Sequence, residues 1–360
     1  MNWKHYIKHP GALLLLPGRF KIRLKAKIEA KTFRWALKSP RKASLYYALF
    51  SNRFDREHYS VLYGKNLNLN GDLNSIASDA TLRRSIHMIE KGLTTVPLKP
   101  VFAEGYILNT VETLTNIVHT NCDDTTQKWA YNVLEKYFQT VEPTPTIQKA
   151  NTLFKELVNN KPIISCEIKH HSPYSSETRR QSTITYEQFL QLCQQRHSIR
   201  WYEDKEVPVD LVKQAITAGL TAPSACNRQP FRFIIVSNKE KLDKTVRLPM
   251  GTDTFAHNIK LMVILIGDLS AYFDERDRHL IYIDASLAAM NFMMALETLG
   301  LSSCPINWPD IEEREQNVAK EFGLQPSEKG IMFFSVGYPL NTGGVPFSAK
   351  KNVEQVTTVY

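Results

Sequence analysis

The sequence predicts a mostly helical half followed by an α+β or α/β half with its own core. Three observations carry this. Strands are expected late in the chain, at 231–236, 260–266 and 331–337, and they alternate with helical stretches. A long helical pattern covers 279–299 and ends at Gly300. Before the stiff break Glu142-Pro143-Thr144-Pro145-Thr146, the periodicity is helical. A chain of 360 residues with 43% hydrophobic content is long enough for two domains with sizeable cores. The expected boundaries are an amphipathic basic arm over 1–45, a helical domain over 46–169, a polar linker over 170–183 and the mixed domain over 184–360.

Taken in order, the arm runs from a Pro17-Gly18 start to a Pro40 stop, although 19–28 alternates basic and apolar residues as a strand would. Leu45 to Tyr63 is rich in aromatic residues, and Asn68 to Asn74 reads as a polar loop containing Gly71. Ala80 to Lys91 is predicted helical, with Gly92 placed to end it. Gly105 to Asn121 and Thr126 to Thr140 carry further helical patterns. The mixed domain opens with a capping box, in which Thr185 accepts from the third helical amide and Gln188 reaches back. A second helix starts around Pro208, a residue favoured at the first helical position, and runs to Gly219.

The net charge of +9 is unevenly spread. Residues 1–45 hold 12 Lys/Arg and one acid, Glu29, a net of +11; the remaining 33 bases and 35 acids give −2. Phe20, Ile22, Leu24, Ile28, Phe33, Trp35 and Leu37 lie among these bases. That mixture fits a peripheral membrane surface better than a nucleic acid, and it equally fits a solubilising face on a docked helix. The apolar run Ala12–Leu16 is far shorter than a membrane span and has no convincing cleavage site after it. The five cysteines (Cys122, Cys166, Cys193, Cys226, Cys304) form no CxxC pair and no zinc-ligand spacing, which points to a reducing, cytoplasmic setting without a metal.

Two short motifs carry the chemistry. Arg196-His197-Ser198-Ile199-Arg200 follows a predicted helix, and its guanidinium and hydroxyl donors suit a phosphate. Pro223-Ser224-Ala225-Cys226-Asn227-Arg228-Gln229-Pro230 links a helix to the strand at 231. Its amide groups can meet the edge of a flat heterocycle, but turn-forming residues would also serve a plain connection. Together the two suggest a flavin nucleotide.

These motifs resemble the nitroreductase family of flavoproteins. The resemblance extends over about 185–360 through Asp284–Phe292, Leu299-Gly300-Leu301-Ser302-Ser303, Gly337-Tyr338-Pro339 and Lys350-Lys351. It implies an α+β FMN-binding fold, with an antiparallel-rich central sheet flanked by helices, and a homodimer with flavin at the interface. It places the phosphate and ribityl contacts on Arg196, His197 and Ser198. The partner-supplied contacts fall on Pro223, Ser224, Ala225 and Asn227, the ring-facing loop on Leu301 and Ser302, and a basic tail on Lys350 and Lys351. The family often has a second Arg where His197 stands. The implied activity is hydride transfer from NADH or NADPH through FMN to an acceptor. The flavin carries the hydride, so no catalytic side chain is nominated. No Gly-rich dinucleotide loop chooses between the two reductants.

In the helical half, Leu82, Ile86, Ile89 and Leu93 form an apolar stripe, while His87 and Glu90 share a second face. Arg83, His87 and Glu90 are substrate-side candidates, as are His257 and Asn258; a polar interdomain face and a loop cap are the plain alternatives. The Leu82–Leu93 segment resembles nitroreductase-like proteins found with bacterial polysaccharide-synthesis genes. That resemblance implies a sugar- or lipid-linked acceptor at the inner membrane surface. Two other readings keep the fold: a silent, membrane-associated assembly partner, and a flavin dehydrogenase acting on another substrate class.

Overall fold

The computed structural model describes residues 31–70, 76–118, 124–160 and 171–360. Most of the expected basic arm, the end of the 68–74 loop, Cys122, Cys166 and the first linker residue lie outside the described residues. The chain divides into two compact units, 1–59 and 60–360.

The described part of the first unit is helical over 31–36 and contains α1 (Pro40–Phe50) and the start of α2 (Asp55–Asn70). Pro40 opens a helix instead of ending one. Ser39 caps it, its side chain accepting from the Lys42 amide, and proline is favoured where the helical N–H has no partner. Tyr46, Tyr47, Phe50 and Phe54 make edge and tilted ring contacts at 4.5–6.1 Å.

The second unit begins within α2, which continues through Asn68 to Asn70 where a loop was expected. Four helices then pack together: α3 (Ile76–Leu93), α4 (Ile107–Val118), α5 (Asp124–Thr140) and α6 (Pro145–Asn160). The predicted stripe Leu82, Ile86 and Ile89 is fully buried with Ile107, Val111, Leu114, Leu134 and Tyr137. Helix α3 runs through Gly92, so this glycine does not terminate it. It is required for close approach, because a Cβ there would sit 2.2 Å from the Phe102 ring. The Pro/Thr break is a turn in which Thr144 caps α6 through the Ile147 amide at 3.3 Å, with Pro145 as the first helical residue.

Beyond 171 the chain continues through α7 (Tyr186–Gln195), α8 (Val209–Gly219), β1 (Phe231–Val236), α9 (Lys239–Thr245) and β2 (Leu261–Asp268). It ends with α10 (Leu280–Thr298), β3 (Ser302–Asn307), α11 (Glu312–Phe322) and β4 (Glu328–Gly337). The predicted capping box of Thr185 and Gln188 is present. Pro208 sits one place earlier than expected, as the N-cap of α8. The sheet is wholly antiparallel, in the order β1-β2-β4-β3. Its centre, β2, is buried throughout. Val263 and Leu265 face α8 and α10, while Met262, Ile264 and Ile266 face the side covered by α9 and α11. Helices on both faces of an antiparallel sheet make this an α+β layer. Residues 275–298 contain a stretch long and apolar enough to cross a membrane by composition, but half of that stretch is buried in this core.

The two helical groups of the second unit meet at the end of β2. Gly64 in α2 lies against the backbone of Leu269, Asn68 donates to the Ser270 carbonyl at 2.7 Å, and Lys65 pairs with Glu275 at 2.8 Å. Ala80 of α3 packs with Leu269, Ala271, Tyr272 and Ile281.

Candidate flavin-binding site

Helix α10 organises two clusters, one at each end. At its C-terminal end, Gly300 takes a positive φ of 73°, which reverses the chain into β3. The Arg196–Arg200 motif is laid beside this reversal. Arg196 caps α7, Ser198 forms a bridge with Ser303, and the Ile199 amide donates to the Ser303 carbonyl at 3.1 Å. Tyr202 clamps the segment from below, its hydroxyl 2.6 Å from the Ile199 carbonyl and 3.0 Å from that of Ser335. Gly337 leaves the room its ring needs, since a Cβ would approach that ring to 2.5 Å.

Arg196, His197 and Ser198 are half-buried here, and Leu301 and Ser302 are buried beside them. The Ser303 hydroxyl and one carboxylate oxygen of Glu297, Oε1, are buried with no hydrogen-bond partner among the described residues. Burial pushes the Glu297 carboxyl above the ordinary carboxylate range, while Gln195, Ser302, Arg196 and His197 pull it down. Burial likewise raises the Cys304 thiol, opposed by Arg200, Ser198 and Arg196. This end therefore gathers cations, hydroxyls and polar atoms left without partners, in a place where buried polar groups are ordinarily satisfied.

The second cluster is the loop 223–229, near the N-terminal end of α10. Cys226, Asn227 and Gln229 have positive φ values of 56°, 53° and 50°. The Ala225 amide donates to Asp284 Oδ2 at 2.9 Å, and the Gln229 amide donates to the Ser224 hydroxyl at 3.1 Å. The Gln229 side chain donates to Asn227 Oδ1 at 3.1 Å. Burial raises the Asp284 carboxyl, with the Ala225 amide and Arg228 opposing. Arg228 is buried over the Tyr272 ring, 3.9 Å from Asp277. Thirteen residues separate Asp284 from Glu297, so the two clusters stand about 20 Å apart along the helix.

The other sequence candidates differ in where they fall. Arg83, His87 and Glu90 do come together, but against α5. Arg83 donates to Thr126 at 2.6 Å and pairs with Asp79 at 2.9 Å, and Glu90 accepts from Trp129 Nε1 at 2.9 Å. His87 lies 3.7 Å from Glu90. Asn258 is a structural pin: it donates to the Arg200 carbonyl at 2.7 Å and accepts from the Tyr202 amide at 3.3 Å. His257 packs near Trp201. Lys350 and Lys351 are exposed on a tail without helix or strand. Among the described residues, no group of His, Cys, Asp and Glu has the arrangement to hold a metal. Asp284 and Glu297 were not among the sequence candidates. Their signal was available, because they are the only charged residues in the nineteen of α10.

The nitroreductase family profile matches residues 193–251 and 245–338. The segment 193–338 is thus similar to the nitroreductase family. Its relatives include a Methanothermobacter thermautotrophicus protein provisionally described as an NADH dehydrogenase/NAD(P)H nitroreductase. That protein is 28% identical over 156 residues, which cover 43% of this chain and 79% of the relative. Another is iodotyrosine deiodinase 1 of Sus scrofa, 23% identical over 47% of this chain and 68% of that protein. An FMN-dependent nitroreductase structure from Clostridium difficile is 24% identical, with a TM-score of 0.40. The match covers 47% of this chain and 98% of that one. The family matches reach back no further than 193, so the helical part of the second unit lies ahead of the matched nitroreductase segment.

Proposed function

We propose that the chain is an FMN-dependent oxidoreductase that takes a hydride from NADH or NADPH and passes it to a small-molecule acceptor, working as a cytoplasmic homodimer. The observation that carries this reading is the separation of the two clusters on α10. Cationic and hydroxyl groups suited to a phosphate gather at one end and amide groups suited to a ring edge at the other. About 20 Å separates them, and a second copy, related by a two-fold axis, would set the loop of one chain against the anchor of the other. Supporting a two-chain site, α10 exposes the apolar side chains Tyr282, Ile283, Leu287 and Met290.

The unpartnered Ser303 hydroxyl and Glu297 oxygen, beside Arg196 and Ser198, fit a polar ligand at this end. Arg196, His197 and Ser198 would hold the phosphate, with Lys350 and Lys351 adding positive charge. Leu301 and Ser302 would back the ring, and Ser224, Ala225 and Asn227 of the second copy would meet its edge. Bound flavin supplies the hydride chemistry; these side chains bind and orient it.

Purified protein should be yellow and should retain FMN through gel filtration. Arg196→Ala combined with Ser198→Ala should weaken retention at least about tenfold, as loss of a charge-assisted anchor implies. Colourless protein that takes up no added FMN would overturn the reading. Stopped-flow mixing with NADH and with NADPH separates an enzyme from a silent assembly partner, because only the enzyme bleaches its flavin. The acceptor we propose is sugar- or lipid-linked, delivered at a membrane surface that the basic arm meets; sedimentation with anionic vesicles tests the second half of that statement.

A further inference from the structure

We infer that Glu297 is a positioning residue for the anion anchor at Arg196, and that loading a flavin phosphate there takes up a proton at the Glu297 carboxyl. The inference rests on the FMN reading above and adds a residue and a linkage to it.

Glu297 is out of place for a merely structural residue. It stands in the last turn of α10, where the helix dipole disfavours negative charge and cations are the usual occupants. The residue is only 8% exposed. Among the described residues one carboxylate oxygen, Oε1, has no hydrogen-bond partner, while Oε2 accepts from the Gln195 amide at 3.3 Å and the Ser302 hydroxyl also supports the carboxylate. A buried carboxylate normally has several donors or a direct ion pair. Here its ionised form is supported first by hydrogen bonds from Gln195 and Ser302, then by the charges of Arg196 and His197 at the end of α7. Arg196 and His197 are the charged and titratable groups that act on it.

The Arg196 guanidinium and the His197 ring would also receive the flavin phosphate. A phosphate dianion and a carboxylate would then compete for them inside a poorly solvated pocket, where like charges are costly. Protonation of Glu297 removes the conflict. The burial that already favours its neutral form works in the same direction. The neutral carboxyl also gains an O–H, a donor that the carboxylate lacks. Flavin affinity therefore falls as pH rises through the window in which Glu297 ionises. At full linkage of one proton the fall is about tenfold per pH unit.

The test is calorimetric titration of the flavin-free full chain with FMN, in buffers of different ionisation enthalpy, across roughly pH 6 to 9, a range open to perturbed carboxyl and imidazole groups. Wild type should take up as much as one proton more than Glu297→Gln, which keeps the Gln195 contact but cannot titrate. Taking the difference between the two proteins cancels the proton that the phosphate itself exchanges. Because His197 also favours a phosphate when protonated, His197→Gln serves as a control and should retain the excess that Glu297 provides. Riboflavin, which lacks the phosphate, should show no excess. FMN binding with equal proton uptake in wild type and Glu297→Gln overturns the inference and leaves the FMN reading standing. If neither FMN nor riboflavin binds, the FMN reading falls and takes the inference with it.

Discussion

Asp284→Ala is the most informative substitution for the loop 223–229. The wild-type carboxylate accepts from the Ala225 amide at 2.9 Å and is 2% exposed. A buried hydrogen bond to a charged group contributes about 1.5–3 kcal/mol, and an amide left unpaired costs about 1–3 kcal/mol. The loop holds three non-glycine residues at positive φ, each of which costs about 1–2 kcal/mol. Only the Asp284 bond ties this strained turn to α10 directly; the Ser224 and Asn227 bonds close the turn on itself. Losing it should remove about 3 kcal/mol, and Arg228, buried beside it, keeps only Asp277 at 3.9 Å. At about 2 °C per kcal/mol for a unit of this size, the melting temperature should fall by about 6 °C. FMN retention should weaken by about tenfold or more as the loop relaxes, while Asp284→Asn, which keeps an acceptor, should lose less than half as much. Thermal unfolding and equilibrium dialysis with FMN measure the two effects. A melting temperature and an FMN affinity both unchanged in Asp284→Ala would refute the claim that this contact holds the loop.

Burial raises the carboxyls of Asp268, Asp284 and Glu297. Groups raised above their unfolded values stabilise fully below those values, about 4, and lose that contribution as pH rises through the folded ones. Glu297→Gln should therefore flatten the decline in melting temperature as pH rises above the ordinary carboxylate range. Gly92→Ala should cost about 1–3 kcal/mol in thermal unfolding, because its Cβ overlaps the Phe102 ring. Tyr202→Phe should cost about 1–3 kcal/mol, since it removes the hydroxyl proton that the Ile199 and Ser335 carbonyls share; it should also weaken FMN retention, which dialysis would show.

The sequence showed those parts of the fold whose local pattern agrees with their final environment. β1 and β2 are dense in β-branched and aromatic side chains, and the Leu82–Ile89 stripe keeps strict helical spacing. β3 was hidden because Ser302-Ser303-Cys304-Pro305-Ile306-Asn307 has little intrinsic strand preference; its pairing with β4 makes it a strand. Helix α6 was concealed behind two prolines that read as a break, one of which is its first residue. The Gly92 stop failed because the glycine answers to Phe102, a contact that no local pattern reveals. In the candidate site, Arg196 and Ser198 could be singled out from chemistry alone as groups suited to an anion. Tyr202 and Asn258 could not, because they act by holding the backbone of that motif across long sequence separations. Asp284 and Glu297 were legible only as two charges in an otherwise uncharged helix.

The seam at the end of β2 bears on how this protein can be dissected. Leu269, Ala271, Tyr272 and Ile281 belong to the mixed layer, yet they are buried together with Ala80 of α3, and Gly64 of α2 leaves no gap over Leu269. A fragment starting at the family-matched residues would bare that apolar patch to water and lose the partners of Ser270 and Glu275. The helices ahead of the matched region are thus not a detachable appendage. Expression trials that trim the chain to its family boundaries should expect aggregation, and any catalytic comparison with shorter relatives needs the chain intact from α2 onward.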